Sequence, residues 1–524
     1  MKGDFSRVSF DPRHHFSQVL LQQGRVTLDA DPNEQGAILL HYLRTLAMDL
    51  FGPYAAPAGA PGFGLSLVDD DGTLAMQIGA GRYYVQGVLC ESEGCDYLEQ
   101  PHHTPAETQD GQGDALRRWL GASNRDNSRF WVYLKVWERH VTSVEMPHLR
   151  EVALGGPDTC SRLQVVWQVR ALDLAEVDKA LNGRIEGWKK TLEQTEDAAE
   201  RAQLQARIDA LQAQLQLLRD TPEQACAVPL QMFEREPGAM TLRLEPPERL
   251  DDPCVTDPDV AYRGAENHLY RVEIHRGSDS GTPTFKWSRD NGSVVTRWIS
   301  GGGKRLRVAS TRGFLDAQWV ELCDEDDELQ GRAGTLCRIA SVEGDELVLA
   351  SDATRQASAT SKVRRWDQVD RDDVSLDDGA VPLRPSSGLE EDWIDLEDGL
   401  QVRFDLQREY RSGDYWHAAV RTTGDSGWPQ DADGDAIAQP PHGIHAGYAP
   451  LGFVGMTATG APGVLGSCTC LVFPASTCGL PRAQLDDGPA RTDGTVSPNA
   501  IVAAGSTTGT GATKKPVVRK RKDP

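Results

Sequence analysis

The sequence has no long hydrophobic run and no apolar leader. Nowhere in its 524 residues do about 18 consecutive apolar residues occur, which is the length that a membrane-spanning helix requires. The opening residues, MKGDF, are not followed by the apolar segment of a secretory signal peptide. We therefore expect the protein to be made and folded in the cytoplasm and to have no membrane span.

Cysteines arranged in metal-binding pairs are also missing. The chain has 10 cysteines, but none forms a Cys-x-x-Cys pair or stands at zinc-finger spacing from histidines. In the cytoplasm such scattered cysteines are expected to be free and mostly buried thiols. Only Cys468, Cys470 and Cys478 form a cluster in the sequence, and a metal or disulfide role for this cluster is the alternative.

The motifs of common enzymes are absent as well. No phosphate-binding G-x-x-x-x-G-K-[ST] order, no G-x-S-x-G and no H-E-x-x-H occurs. Asp431, Asp433 and Asp435 alternate as in the first half of a calcium loop, but the twelfth position is His442 rather than glutamate. With 78 acidic residues, no single carboxylate pair is informative about glycoside hydrolysis. We predict a protein that is not an enzyme and holds no cofactor or metal.

What the chain has in excess is negative charge. Its formal net charge is −23, although six lysines and arginines stand among the last eleven residues. An acidic body repels nucleic acid and anionic membranes, so neither is a predicted partner. The basic end could serve as an address or as a docking handle, but a short basic tail is more often solvated.

One strong helical pattern lies near the N-terminus, at residues 32–50. Asp31 can serve as N-cap, Pro32 fits the first helical position, and Glu34 completes a capping-box pattern. Apolar residues recur at helical spacing until a Gly-Pro pair ends the helix. Taken alone, the pattern favours an amphipathic helix that packs on its own domain. We assign 1–55 as an N-terminal docking segment that contains this helix.

A second helical region interrupts the chain at 171–222. Two apolar series alternate steps of three and four, namely Leu181, Ile185, Trp188, Leu192 and then Leu204, Ile208, Leu211, Leu215, Leu218. The two series are out of phase across the polar stretch 195–201. We therefore predict an inserted helical hairpin or a coiled coil. Each arm is only about three turns long and needs a partner, either the other arm or another subunit.

The rest of the sequence is typical of β-structure. FWVYLKVW at 130–137 is apolar on both faces and predicts a strand buried on both sides. FKWSRDNGSVV at 285–295 predicts a strand, an Asn-Gly turn and a strand. We predict a mainly β, multidomain protein built from β-sandwich and small-barrel units. The predicted units are a β domain at 56–170 that continues at 223–300, a small β-barrel-like domain at 301–355, a β-rich C-terminal domain at 356–478 and a disordered basic tail at 479–524.

The opening of the chain resembles the start of a bacterial protein family. It reads MKGDF, then QQGRV at 22–26, LDAD at 28–31 and NEQ at 33–35. Proteins with this start are encoded beside phage-tail-like contractile injection systems, and a looser similarity reaches tail-fibre and baseplate proteins of contractile phages. Further similar strings are REVALGGPDT at 150–159, LYRVEIH at 269–275, SGDYW at 412–416 and PPHGI at 440–444.

Two departures from the family pattern concern its potential sites. Pro32 stands where the family commonly has tryptophan, so an aromatic anchor is missing. Ala446 and Gly447 stand where paired histidines are common. The second departure weakens a metal role for His442 and His445.

The resemblance implies a structural component of such a particle, either a peripheral baseplate protein or a tail-fibre protein, mounted through its N-terminus. Its partners would be baseplate or tail proteins, and a fibre role favours a homo-oligomer, with a trimer as one arrangement. Particles of this kind can be released outside the cell. The docking residues that the resemblance implies are Phe5, Phe10, Phe16, Gln23, Gly24, Arg25, Asp29, Asp31, Asn33 and Glu34.

The alternative is a free-standing carbohydrate- or surface-binding β-protein. Exposed aromatic rings would then bind sugars by stacking. The candidate rings are Trp287, Trp366, Trp393, Trp416 and Trp428. Each of these tryptophans also suits a hydrophobic core. A polysaccharide-degrading enzyme is a third interpretation, and it would need a working pair of carboxylates.

Overall fold

Strands make up most of the regular structure. The computed structural model describes residues 1–70, 73–103, 114–245, 262–371, 374–384 and 392–473, and all of them belong to one compact unit, Met1–Pro474. The predicted disordered tail at 479–524 lies outside the described residues, as do Cys254 and Cys478. The prediction of a mainly β protein with several sheets and few helices is confirmed.

Helices are few in the described residues, and three of the five α-helices are longer than 20 residues. The α-helices of the described residues are α1 (Ala30–Phe51), α2 (Ala115–Gly121), α3 (Leu174–Gln194), α4 (Ala198–Asp220) and α5 (Glu325–Gln330). Short 3-10 helices lie at Pro12–His14, Tyr97–Glu99, Pro147–Leu149, Val152–Leu154, Pro222–Gln224, Val228–Phe233 and Ser278–Ser280. Both predicted helical regions, near the N-terminus and in the insert, are therefore present.

The strands follow one another through the chain with mostly short connections. In the first half they are β1 (Tyr54–Pro57), β2 (Leu65–Asp70), β3 (Thr73–Ile78), β4 (Gly81–Val85), β5 (Val88–Ser92), β6 (Cys95–Asp96), β7 (Arg129–Val141), β8 (Arg162–Asp173) and β9 (Met240–Leu244). In the second half they are β10 (His268–Arg276), β11 (Thr284–Ser288), β12 (Val295–Val308), β13 (Trp319–Cys323), β14 (Thr335–Glu343), β15 (Glu346–Ala353), β16 (Lys362–Trp366), β17 (Val381–Pro382), β18 (Ile394–Asp395), β19 (Leu400–Phe404), β20 (Tyr415–Val420), β21 (Ala446–Met456), β22 (Pro462–Ser467) and β23 (Leu471–Val472).

These strands form open sheets and one closed barrel. The open sheets of the described residues have the strand orders β23-β1-β4-β5, β2-β3-β6, β22-β21-β7-β8, β17-β11-β10-β20 and β18-β19-β9. The barrel has the order β12-β15-β14-β13-β16. Strands from the two ends of the chain meet in the same sheets, because β21 pairs with β7 and β23 pairs with β1. The predicted small barrel is confirmed, and it runs from Val295 to Trp366.

Strand β7 is one of the two inner strands of its four-stranded sheet and is buried on both faces, as predicted. It pairs with β8 on one side and with β21 on the other. One face joins the core of the N-terminal sheets through Phe130, Val132, Leu134 and Val136. The opposite face carries Trp131 and Tyr133, which pack beneath α3 and α4. The strand carries apolar residues on both faces because each face belongs to a separate hydrophobic core.

The insert is a helical hairpin whose two arms pack on each other. Asp197, in the connection between the helices, accepts a hydrogen bond from the Glu200 backbone N–H (2.8 Å) and caps α4. The seam buries Val177, Leu181, Ile185, Ile208, Leu211, Leu215 and Leu218. Burying one such side chain stabilises the fold by about 1.5–3 kcal/mol. The hairpin alternative is therefore confirmed, with the arms as each other's partners.

The Asn-Gly turn forms as predicted, but its flanking strands do not pair with each other. Asn291 and Gly292 have φ angles of 50° and 64°, which suit this turn. Strand β11 nevertheless pairs with β10 and β17, while β12 enters the barrel. The predicted order of strand, Asn-Gly turn and strand is confirmed. The two strands have other partners because turn chemistry is local, whereas strand pairing depends on contacts with distant segments.

Two cysteines that we expected to be free thiols form a disulfide. Cys226 and Cys468 are bonded, with a Cα–Cα distance of 5.7 Å, although 242 positions separate them in the sequence. The expectation was wrong because only the fold brings the segment after the hairpin next to the end of β22. Cys90, Cys323 and Cys337 are buried free thiols, as expected.

Candidate docking surface

The start of the chain is held inside the molecule. Lys2 Nζ lies 3.0 Å from Glu273 Oε1 in strand β10. The Gly3 carbonyl accepts a hydrogen bond from Asn291 Nδ2 (2.9 Å) in the turn after β11. The first residues are therefore an anchor on the β10–β11 sheet rather than a free arm.

The anchor is built on a buried carboxylate. Glu273 is contacted by Lys2, by Arg271 at 2.7 Å and by Lys286 at 3.3 Å. Burial alone would raise the pKa of Glu273, but these three cations hold it well below its ordinary value. Removing one partner from such a buried cluster costs about 3–5 kcal/mol. Sequence reasoning missed this cluster, because the pairing of Lys2 with a residue 271 positions away has no local signal.

Helix α1 begins at Ala30, two residues before its predicted start. The predicted capping box is wrong, since its two acidic groups bind the segment that precedes the helix. Asp31 Oδ2 accepts a hydrogen bond from the Leu28 backbone N–H (2.9 Å). Glu34 Oε2 accepts one from Ser9 Oγ (2.5 Å). These bonds fasten the entering chain along the first turn of α1.

Few residues of helix α1 are buried against the rest of the protein. Its buried residues are Ala30 and Ile38. Arg44 forms an ion pair of 2.7 Å with Glu138 of β7, and the Phe51 ring packs on a tyrosine of β4 at 5.2 Å. The expectation that α1 would bury its apolar face on its own domain is therefore wrong.

The apolar side of α1 is exposed, together with the segment before it. We call this the N-terminal apolar surface, and it consists of Leu20, Leu21, Val26, Leu28, Leu39, Leu40, Tyr42, Leu43, Leu46 and Leu50. Leu39, Leu43, Leu46 and Leu50 follow steps of four and three, which places them along one side of the helix. Exposed fractions are between 42% for Leu40 and 85% for Val26. Large exposed apolar surfaces are typical of interaction sites, so this surface is the candidate docking surface.

The predicted docking phenylalanines are placed differently from one another. Phe5 lies against His140 of β7, with ring centroids 5.6 Å apart. Phe10 lies against His41 of α1 at 5.7 Å. Phe16 is 55% exposed. The first two therefore fasten the N-terminal segment to the chain itself, and the third faces outward.

The predicted polar docking residues belong to the same part of the chain. Gln23, Gly24 and Arg25 form an exposed turn in which Gly24 has a φ of 71°. Asp29 stands at the N-cap position of α1, and Asn33 is exposed in its first turn. The leucines of α1 were not among the predicted docking residues. The sequence feature that could have pointed to them is that α1 has more apolar positions than one buried helix face requires.

The tryptophans of the carbohydrate-binding alternative are mostly core residues. Trp287, Trp366, Trp416 and Trp428 are between 0% and 7% exposed. Trp393 is flanked by the guanidinium groups of two arginines, at 4.1 and 4.7 Å from its ring. None of the four buried rings can stack on a sugar without unfolding its core.

The described residues contain no arranged metal ligands. Asp431 accepts hydrogen bonds from the backbone N–H groups of Asp433 and Asp435, so its carboxylate closes an exposed turn. No group of three or more His, Cys, Asp or Glu side chains is disposed to hold a metal ion within the described ranges. In the same part of the chain, no helix has the length and apolar character needed to cross a membrane.

The chain belongs to a family of unknown function, DUF6519. The family's model matches residues 1–227 and 235–523, so it covers the N-terminal apolar surface, the hairpin and the barrel. No curated protein matches the sequence.

Two solved structures show remote similarity to the chain. One is the crystal structure of TssK, with 10% identity, a TM-score of 0.13 and coverage of 74% of this chain and 98% of that chain. Another is the baseplate complex from the type VI secretion system, with 10% identity, a TM-score of 0.16 and coverage of 67% of this chain and 98% of that chain. TM-scores this low carry no argument about the present chain.

Proposed function

We propose that this protein is a non-enzymatic structural component of a phage-tail-like contractile injection system, a peripheral baseplate or tail-fibre protein mounted through its N-terminus. The observation that carries the proposal is the N-terminal apolar surface. This surface lies in residues 1–50, and the sequence of this segment resembles that of proteins encoded beside such systems. Among the described residues, this is where most of the strongly exposed large apolar side chains are found.

The architecture suits a mount. The anchor at Lys2 and Glu273 fixes the start of the chain to the body, while α1 touches the body along a narrow line and presents its leucines outward. A partner that covers these leucines gains about 1.5–3 kcal/mol for each side chain that becomes fully buried. Because the surface is apolar, a partner would attach to it through shape complementarity and the burial of apolar side chains, without a chemical reaction.

The occupant that we propose is a baseplate or tail protein of the particle. Such a protein would offer an apolar groove for α1, in the manner of helix-in-groove recognition. We also propose that the assembled protein is a homo-oligomer, with a trimer as the arrangement that a fibre favours. Release of the particle would carry the protein outside the cell.

The test uses a C-terminally tagged chain in its native host. Deleting residues 1–50 would also remove the anchor, so we choose Leu43→Asp with Leu46→Asp on the exposed side of α1. Leu315→Asp in a barrel loop is the matched control, since Leu315 is 78% exposed. Particles purified by sedimentation should contain the wild type and the control variant, and the double variant should stay in the soluble fraction.

Two outcomes would contradict the proposal. The wild type could fail to sediment with sheath and tube, or the double variant could sediment as well as the control. If the double variant instead changes only the oligomeric state of the purified protein, the surface binds a second copy and not a particle protein.

A further inference from the structure

A cavity of about 640 Å³ lies away from the N-terminal apolar surface. Strands β7 and β21 form one wall, and the loop between β19 and β20 contributes another. Its volume falls in the range of about 300–1,000 Å³ that is typical of small-molecule pockets. We call it the β7 groove and define it by Lys135, Trp137, Tyr448 and Arg411.

Lys135 is one of the charged residues that line the β7 groove. In the sheet it stands opposite Tyr448 on β21 and opposite Gln168 on β8, so its nearest neighbours on that face are uncharged. Its Nζ lies 4.7 Å from the centre of the Trp137 ring. Within the described ranges, no carboxylate forms an ion pair with it, which is rare for a lysine that is mostly buried.

The neighbouring charges of Lys135 are cations. Arg170 stands opposite Tyr133, two positions along the same face of the sheet, and Arg411 lines the groove. Burial, together with the nearby charges of Arg170 and Arg411, lowers the pKa of Lys135 to about 8. In a chain with a net charge of −23, three converging cations form a local positive site.

The acidic residues of the β7 groove do not neutralise this site. Asp414 forms a two-pronged pair with Arg235, at 2.6 and 2.7 Å. Glu328 is 2.7 Å from Lys362 of the barrel. The remaining acidic groups that line the groove are exposed to solvent, namely Asp279 and Glu409. An anion that enters the groove therefore meets Lys135 and Arg411 without displacing a carboxylate from either.

We propose that the β7 groove binds a small organic anion, through a carboxylate or phosphate-ester group placed between Lys135 Nζ and the Arg411 guanidinium. A charged acceptor there would make charge-assisted hydrogen bonds and would relieve the repulsion among the three cations. The volume of the groove leaves room for an organic body beside the acidic group. This inference does not rest on the proposed role in a particle.

The test is calorimetric titration of the full chain at low salt with three matched sugars. Glucose 6-phosphate and glucuronate carry the two acidic groups, and glucose carries neither. We expect saturable binding of at least one acidic sugar and none of glucose. Binding of the phosphate ester alone or of the carboxylate alone identifies the group that the groove selects.

Variants assign the binding to the groove. Lys135→Met keeps the length of the buried side chain and should weaken binding by about tenfold or more, since it removes a charged hydrogen-bond donor. Arg411→Gln, at an exposed position, should weaken it in the same direction without affecting folding. Lys179→Met on the exposed side of α3 should leave it unchanged. Absence of binding by both acidic sugars, equal binding of glucose, or unchanged binding by Lys135→Met and Arg411→Gln would overturn the inference.

Discussion

At the scale of single residues, buried ion pairs connect parts of the fold that are distant in sequence. Lys362 of β16 is 2% exposed and lies 2.8 Å from Glu145, in the segment after β7. It also lies 2.7 Å from Glu328 of α5. One buried lysine thus joins the central sheet to the barrel. Because removal of either acidic partner leaves its charge less well compensated, each of these contacts matters more than a surface pair.

The Glu145–Lys362 pair predicts a specific loss of stability in acid. Burial acts to raise the pKa of Glu145, but Lys362 and Thr142 bring it down from 4.5 to about 2. A carboxyl group whose pKa is lower in the folded state stabilises the fold above its unfolded pKa. That contribution disappears as the pH falls through the folded pKa. We expect Glu145→Gln to destabilise the protein at pH 7 by about 2–3 kcal/mol.

The difference between this variant and the wild type should shrink as the pH falls from 4.5 towards 2. Urea midpoints measured across that window test the prediction. Glu186→Gln is the control, because Glu186 is 65% exposed in its pair with Lys189. A constant difference between Glu145→Gln and the wild type at every pH would show that the pKa of Glu145 is the same in the folded and unfolded protein, and would contradict the prediction.

At the scale of elements, the sequence was informative about helices because their periodicity is local. The apolar steps of three and four predicted both α1 and the α3–α4 hairpin. The same steps could not tell which helix is covered, since the partner is a distant segment. The hairpin seam packs on Trp131 and Tyr133 of β7, whereas the leucines of α1 stay exposed. For the N-terminal apolar surface, the helix within residues 1–50 was predictable and the exposure of its leucines was not.

For the strands, too, local patterns were predictable from the sequence, whereas pairing with distant segments was not. The buried strand β7 and the Asn-Gly turn were predictable from the local sequence. The separation of β11 from β12 was not, because β11 is paired by β10 and β17. The closing of the central sheet by β21 also depends on a strand more than 300 positions away from β7.

The hairpin seam supports a prediction within a single helix. Leu211 is 2% exposed and Leu217 is 39% exposed, both on α4. Leu211→Ala should destabilise the protein by about 2–5 kcal/mol, because it opens a cavity between the helices and the sheet. Leu217→Ala changes the same residue type on the same helix and should have a much smaller effect.

Chemical denaturation followed by tryptophan fluorescence suits this comparison, since Trp131 belongs to the same core. Equal midpoints for Leu211→Ala and Leu217→Ala would mean that the seam is open in solution. The hairpin would then need another subunit to cover it.

At the scale of the whole molecule, the two ends of the described chain close the fold. The first residues are anchored on β10, and β21, β22 and β23 complete sheets that begin with β7 and β1. The Cys226–Cys468 disulfide joins the segment after the hairpin to the end of β22. Loss of either end would therefore affect several sheets at once, which explains why exposed-side substitutions on α1 test docking better than deletions.

The disulfide gives the last prediction, because it joins segments 242 positions apart. Closing so long a loop restricts the unfolded chain and stabilises the fold by about 2–5 kcal/mol. The double variant Cys226→Ser, Cys468→Ser should therefore unfold at a lower temperature than the wild type. A reducing agent should bring the wild type down to the level of the double variant and leave the double variant unchanged. Cys160→Ser, which removes an exposed free thiol, should behave as the wild type in both conditions; equal melting of the wild type and the double variant without reductant would exclude the bond as a stabilising cross-link.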